Sequence, residues 1–325
     1  MNKFKHYYGI DISKDVFDVI DDQGTYHQYE NTLKGFGSFK KVLLKDACCV
    51  MEATGVYHVQ LADYLYEQGI FVSVVNPLVI KRFIQMNLRR IKTDKADAEM
   101  ICRYAKMNDQ QAYRPPHIYI RECRILKENI DLLLKNRTML KNRLHALSYK
   151  QYKHRLIIIN PLKKAIKELS VQIQKLEDEM RQLIMTHEQE LFSRLLSIPG
   201  IGKSTAMFMI ILSEGFTKFE SAKQFTCFIG LSPVEKSSGS SIRGRGGISK
   251  QGNGKLRNLL FLCSFNACKS NKACKDQFER IIAKGKSKKL ALVAVSNKLL
   301  KQSFAIAKSG LVYDEGFKSR KPVIQ

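Results

Sequence analysis

The chain has no apolar run long enough to cross a bilayer, and acidic residues are scarce. Only 30 Asp and Glu stand against 55 Lys and Arg, a formal charge of +25 in 325 residues. The first absence argues against a membrane-embedded protein, and against an anionic bilayer as the partner for the surplus positive charge. No apolar signal region precedes the first acid in Met-Asn-Lys-Phe-Lys-His-Tyr-Tyr-Gly-Ile-Asp, which points to the cytoplasm. None of the eight cysteines forms a Cys-x-x-Cys pair, so no zinc site is expected and the thiols read as reduced and mostly buried. Gly202-Lys203-Ser204 lacks the first glycine of a Walker A loop, which removes the reading as a nucleoside triphosphatase. Tyr313 has no suitably spaced His and Arg set upstream, which sets a tyrosine nucleophile aside.

The positive charge is unevenly spread. From Gly230 to Gln325 there are 20 Lys and Arg against 5 Asp and Glu. A folded chain tolerates such self-repulsion best when its partner is a polyanion. At this length two domains with an insert are expected, each with its own core, and the sequence divides at 1–116, 117–190 and 191–325.

Within the first segment, alternation predicts strands at Tyr7–Ile12, Val16–Asp21 and Thr25–Glu30, the last two joined by a turn at Asp22-Gln23-Gly24. Helices are predicted at 35–45, 57–68, 78–87 and 94–107, with strands at 47–52 and 70–75. Three antiparallel strands followed by helix, strand, helix and strand is the order of an α/β RNase H-like fold. Four acids fall at telling places in it. Asp11 and Glu52 each end an apolar strand, while Asp94 and Asp97 lie three apart at a helix start and project from one face. Gathered without counter-charge, such acids raise one another's pKa; divalent cations remove that cost and activate water or a hydroxyl at a phosphodiester. The competing explanation is that acids simply suit a helix N-terminus.

Beyond Pro115-Pro116, two long helices are expected, split by Asn160-Pro161. Leu126, Leu133, Leu140 and Leu147 recur every seven residues in the first. In the second, Leu162, Ile166, Leu169, Ile173, Leu176, Met180 and Leu183 form a heptad seam. Either the two pack as a hairpin within one chain or they join subunits as a coiled coil; the narrow seam favours the intermolecular arrangement. From Leu191 a mainly helical segment begins, with Ile198-Pro-Gly-Ile-Gly202 resembling a helix-hairpin-helix turn whose backbone amides, with Lys203, suit a phosphate. A serine- and glycine-rich stretch follows between Leu231 and Arg257. Its Arg243, Arg245, Lys250, Lys255 and Arg257 would surround a phosphate, and composition alone leaves open whether it is a flexible basic linker or a loop bearing a nucleophilic serine. An apolar helix at Leu256–Ala267 and a basic helical tail complete the chain.

Taken together, Gly9-Ile-Asp-Ile-Ser-Lys14, Met51-Glu-Ala-Thr-Gly55, Lys92-Thr-Asp-Lys-Ala-Asp-Ala98, Ile198-Pro-Gly-Ile-Gly202, Gly230-Leu-Ser-Pro233 with Ser237-Ser-Gly239, and Gly247-Ile-Ser-Lys-Gln-Gly-Asn253 resemble the transposases of insertion-sequence family one-ten and the related Piv-type DNA invertases. The resemblance covers nearly the whole chain, and the joint order of the motifs makes it specific. It implies a RuvC-like domain with a DEDD metal site at Asp11, Glu52, Asp94 and Asp97, a coiled-coil segment, and a C-terminal transposase domain. The catalytic serine then maps to Ser238, with Ser237 as the neighbouring alternative; the chain departs from the family after Gly239, where a longer basic stretch stands. Also implied are two magnesium ions, with manganese as a substitute, donor and target DNA, a structured guide RNA encoded by the element, and a homo-oligomer, dimer or tetramer, that combines serine and acids from different subunits. A cytoplasmic, nucleoid-associated recombinase is the resulting expectation. Its rivals are a site-specific invertase, a RuvC-type nuclease using metal-activated water, and an inactive nucleic-acid-binding descendant.

Overall fold

The computed structural model describes residues 4–87, 93–149, 155–234, 237–238, 242–243 and 247–316. The chain divides into two compact units, Met1–Pro115 and Pro116–Gln325.

The first unit is a mixed α/β layer built on strands β1 (His6–Ile12), β2 (Val16–Ile20), β3 (Tyr26–Glu30), β4 (Ala47–Glu52) and β5 (Phe71–Val75). Their order in the sheet is β3-β2-β1-β4-β5; the first three are antiparallel, and β4 and β5 run parallel to β1. Helices α1 (Leu33–Val42) and α2 (His58–Glu67) cover one face, and α3 (Pro77–Met86) and α4 (Asp94–Met107) serve the other. Local chemistry sets these boundaries. Thr32 caps α1 by accepting from the Gly35 amide, and Asn76 caps α3 by accepting from the Leu78 amide just ahead of Pro77. Gly69, at φ +71°, ends α2 in the left-handed region. Strand alternation then divides the side chains. Tyr8, Ile10, Ile12, Cys49 and Met51 pack with Phe36, Phe39, Leu61 and Leu65, while Tyr7, Cys48 and Val50 pack with Ile80, Ala98, Ile101 and Cys102.

The second unit is mostly helical: α5 (Ile118–Ser148), α6 (Arg155–Leu196), α7 (Lys203–Ser213), α8 (Ala222–Ile229), α9 (Gly254–Ser270), α10 (Lys272–Ala283) and α11 (Lys288–Ser309). Between α8 and α9 lie four two-residue strands, β6 (Pro233–Val234), β7 (Ser237–Ser238), β8 (Ile242–Arg243) and β9 (Gly247–Ile248).

Four expectations change here. The long helices do not divide at Asn160-Pro161, because α6 begins at Arg155 and runs through Pro161. Proline there removes one backbone bond, near the helix start, and the helix absorbs the loss. Its real irregularity is at Glu188 (φ −136°, ψ 33°), whose carboxylate accepts from the Tyr119 hydroxyl at 2.7 Å. The heptad seams, favoured above as a contact between subunits, pack in part within one chain: Ile130 of α5 and Ile173, Met180 and Ile184 of α6 are buried in a common core, with Leu126, Leu133, Leu176 and Leu183 packed against it. The basic tail, finally, is not a tail. Val295, Leu299 and Leu300 of α11 are fully buried in that core, while Lys301 and Lys308 are exposed on the other side of the helix. By length and composition α11 would also suffice to cross a membrane, which the expectation of no long apolar segment had missed; half of it is buried in the protein.

All eight cysteines are free thiols; Cys48, Cys49, Cys102, Cys123, Cys263 and Cys274 are buried. Burial pushes the Cys48 thiol up to about 12.

Candidate active site

In β1, Tyr7, Gly9 and Asp11 share the sheet face that α4 covers. In β4, Cys48, Val50 and Glu52 alternate onto the same face, and the parallel register sets Gly9 beside Val50, which carries Glu52 to the level of Asp11. Helix α4 starts at the end of the sheet where these strands finish. Thr93 caps it, accepting from the Ala96 amide at 3.2 Å, so Asp94 and Asp97 fall in its first turn. The helix macrodipole favours carboxylates there, which makes the helix-start explanation and the site explanation compatible rather than exclusive.

The approach of α4 to β1 depends on Gly9. A Cβ on Gly9 would lie 2.2 Å from both the Ala98 carbonyl oxygen and the Cys102 amide nitrogen. That contact brings the acids into electrostatic reach of one another. Asp11 is held up at about 7 by burial first, then by the charges of Asp97, Asp94, Glu52 and Asp18. Glu52 also accepts a long hydrogen bond, 3.4 Å, from the Thr54 hydroxyl. The carboxyls surround Asp11 without closing into a cage: among the described residues no three His, Cys, Asp or Glu side chains stand close enough together to hold a metal ion. Uncompensated like charges repel, and hard oxygen donors of this kind suit magnesium or manganese rather than zinc.

Asp18 is the residue that sequence reasoning missed. It lies directly opposite Asp11 in the β1–β2 register and is only 2% exposed. The Tyr26 hydroxyl donates to it at 2.5 Å and Gln28 Nε2 at 3.0 Å. The signal was available as a lone acid within Val16-Phe-Asp-Val-Ile20, an otherwise apolar strand.

In the second unit the serine-rich stretch is neither an open linker nor a simple loop. β6 pairs antiparallel with β9, and inside that pair β7 pairs with β8, setting Ser237 opposite Arg243 and Ser238 opposite Ile242. The result is a β-ribbon with Ser238 in its inner strand pair. Two glycines let its neck close. A Cβ on Gly230 (φ +77°) would meet the Gln251 carbonyl oxygen at 2.4 Å, and one on Gly252 (φ +126°) would meet that of Phe228 at 2.1 Å. Arg257 Nη1 donates to the Ile229 carbonyl at 2.7 Å and Asn297 Nδ2 to that of Leu231 at 3.1 Å, so both brace the neck.

The other basic residues are placed as follows. The Lys250 amide donates to the Gly230 carbonyl in the neck, Lys255 Nζ pairs with Asp131 at 2.6 Å, and Arg243 stands in β8. Arg245 lies outside the described residues. Lys203 opens α7 directly after Gly202, whose N-cap makes no side-chain hydrogen bond. The preceding Gly200 (φ +101°) comes so close to α9 that a Cβ would lie 2.7 Å from that of Ala267, so the Pro-Gly-Ile-Gly turn also serves helix packing.

The chain is similar to the pilin gene-inverting protein of Moraxella lacunata, 29% identical over 96% of this chain and 98% of the relative. The pilin gene-inverting protein of Moraxella bovis is 28% identical over the same shares. The transposase for insertion sequence element IS1111A of Coxiella burnetii is 27% identical over 78% of this chain and 75% of the relative. Residues 8–148, which hold all four acids, match the DEDD transposase domain of IS110 elements, described as "Transposase". Residues 192–279, which hold the serine ribbon, match the domain described as "Transposase IS116/IS110/IS902 family". Two domains of one family, in order and together spanning more than half the sequence, establish that the chain belongs to the IS116/IS110/IS902 family of transposases.

Proposed function

We propose that the protein is a magnesium-dependent DNA recombinase in which Ser238 is the nucleophile and Asp11, Glu52, Asp94 and Asp97 hold the metal. One observation carries the reading: acids from two strand ends and a helix start lie on one face of a mixed sheet, which we read as RNase H-like, and their charges add to burial in raising Asp11 to about 7. A partly buried carboxyl with other carboxylates acting on it has a use for bound divalent cations, which would neutralise the group and stabilise charge on phosphate oxygens. The Ser238 oxygen bonds to phosphorus as the strand's O–P bond breaks; the hydroxyl proton passes to a base and the departing oxygen takes up a proton. Lys203, Arg243, Arg245 and Lys250 would neutralise backbone phosphates, while Arg257 is engaged with the Ile229 carbonyl in the ribbon's neck and Lys255 with Asp131. Target choice is assigned to a guide RNA by family resemblance, consistent with the surplus positive charge.

The test is Ser238→Ala in the full-length protein. Expected is loss of the covalent protein–DNA adduct with DNA binding retained; cleavage at the parent's rate would instead support a nuclease using metal-activated water. Ser237→Ala separates the two adjacent serines. Inversion of a DNA segment is the second reading, favoured by the near full-length match to two pilin gene-inverting proteins. Recombination assays on direct and inverted sites decide between the outcomes.

The reading includes a homo-oligomer, and α5 offers it a surface beyond the seam residues packed inside the hairpin. Helix α5 carries a second stripe at sevenfold spacing: Ile118, Ile125, Leu132 and Met139 are 69%, 59%, 55% and 62% exposed. Apolar residues at that period suit a second copy. Leu132→Glu should shift the solution mass toward the monomer and leave the melting temperature within a few degrees, as measured by light scattering and calorimetry. An unchanged mass would exclude this stripe as the interface.

A further inference from the structure

Among the described residues, the start of the helix that follows the serine ribbon is tied to the long hairpin through Asp131. Asp131 lies in the middle of α5, its side chain 21% exposed, and two lysines converge on it. Lys127, one turn earlier in the same helix, donates to Oδ1, while its ammonium also sits 4.9 Å from the centre of the Phe208 ring. Lys255 donates to Oδ2 at 2.6 Å from 124 residues away. Burial disfavours the charged carboxyl, but the hydrogen bonds from Lys127 and Lys255 outweigh it and hold the group below its ordinary range.

The position of Lys255 gives this contact its meaning. It is the second residue of α9, directly after the ribbon's neck. Asn253 caps α9 by accepting from the Leu256 amide, while its own amide donates to the Phe228 carbonyl, and Gly252 presses on that same carbonyl. Any movement of Lys255 therefore passes straight into the neck. The start of α9 does not pack flush on α5. A cleft of about 360 Å³ lies there, lined by Lys127, Asp131, Phe208, Ile211, Asn253 and Lys255. Across it, the Asp131 carboxylate links the two elements directly. The Lys255 side chain is 64% exposed, so the pair adds little to global stability and its effect is on order rather than on folding.

We propose that Asp131 is a positioning residue: through Lys255 it fixes the downstream end of the serine ribbon to the α5–α6 hairpin and so sets where the Ser238 hydroxyl is presented. This rests on the reading of Ser238 as nucleophile.

The experiment uses the full-length protein with Asp131→Asn, Asp131→Glu and the reciprocal pair Asp131→Lys/Lys255→Asp. In Asp131→Asn, hydrogen exchange of amides 247–257 should speed up about tenfold while that of α11 and the melting temperature stay unchanged. The maximal rate of adduct formation should fall about tenfold with DNA affinity held within about twofold. Asp131→Glu and the reciprocal pair should restore both. Unchanged exchange in the neck overturns the proposal, as does a loosened neck with an unchanged rate. Tighter DNA binding by Asp131→Asn at an unchanged rate also overturns it, showing Lys255 to be a phosphate contact that Asp131 restrains. Ser238→Ala cutting as fast as the parent would remove the serine reading and, with it, any positioning role in the reaction.

Discussion

Asp11→Asn is expected to abolish strand cleavage while making the metal-free protein more stable at pH 8. The two effects share one cause. In the fold Asp11 titrates at about 7, raised by burial and by Asp97, Asp94, Glu52 and Asp18, whereas an unfolded aspartate titrates near 4. Between those values the native state holds a proton that the unfolded chain has released, so stability falls as pH rises from about 4 to about 7 and levels off above it. The full shift corresponds to about 4 kcal/mol; for a carboxyl that is only partly buried, solvent screening brings this to about 1–2 kcal/mol. Asparagine keeps the shape and removes the charge. At pH 8 without divalent metal its melting temperature should rise by on the order of 5 °C, and at pH 4 the two proteins should coincide. Magnesium should stabilise the parent and have much less effect on the variant, because cations bind the native acids preferentially. Cleavage should drop at least about a hundredfold. A variant that is no more stable than its parent at pH 8 would mean the acids do not press on Asp11. One that still cleaves would remove Asp11 from the chemistry.

Much of this arrangement is legible in the sequence because it depends on local periodicity. Alternation in Tyr7-Tyr-Gly-Ile-Asp-Ile12 is enough to set Asp11 and Gly9 on a common face, and a threonine ahead of Asp94 is enough to start α4. What escaped depends on pairing across distance. Asp18 becomes a neighbour of Asp11 only through the β1–β2 register, which no short window contains. The heptads announced a seam but not its partner, since an antiparallel hairpin and an intermolecular coil use the same spacing; that α5 and α6 satisfy each other is a tertiary fact. The bend at Glu188 has a similar origin. It is fixed by the Tyr119 hydroxyl and by Gly215, whose Cβ would lie 2.7 Å from the Glu188 carboxylate. In α11 the surplus of lysine masked an apolar face that the core uses in full. The serine ribbon was hidden because its four strands have two residues each, too few for any alternation to register.

Gly9→Ala should be a strongly destabilising single-methyl change in the first unit. The Cβ it adds would stand 2.2 Å from the Ala98 carbonyl oxygen, 2.2 Å from the Cys102 amide nitrogen and 2.7 Å from the Cys102 Cα. All three are backbone atoms of α4, so no rotamer change relieves the clash, and the helix has to move off the sheet. Overpacking of a core side chain usually costs about 1–3 kcal/mol; here, with rigid backbone on both sides, about 3 kcal/mol or more is expected. For a unit of this size that is a fall of on the order of 10 °C in melting temperature. The displacement also reports on the site. Because Asp94 and Asp97 ride on α4, lifting it weakens their repulsion of Asp11, whose pKa should move down from about 7 toward the ordinary carboxylate range. Denaturation by urea measures the first effect, and carboxyl carbon resonances followed against pH measure the second. Mutants that merely loosen the core on the opposite face of the sheet, such as Leu61→Ala, should lose stability without moving the Asp11 titration. If Gly9→Ala lies within about 0.5 kcal/mol of the parent and leaves that titration in place, the close seating of α4 on β1 is wrong, and the convergence of the four acids loses its structural basis.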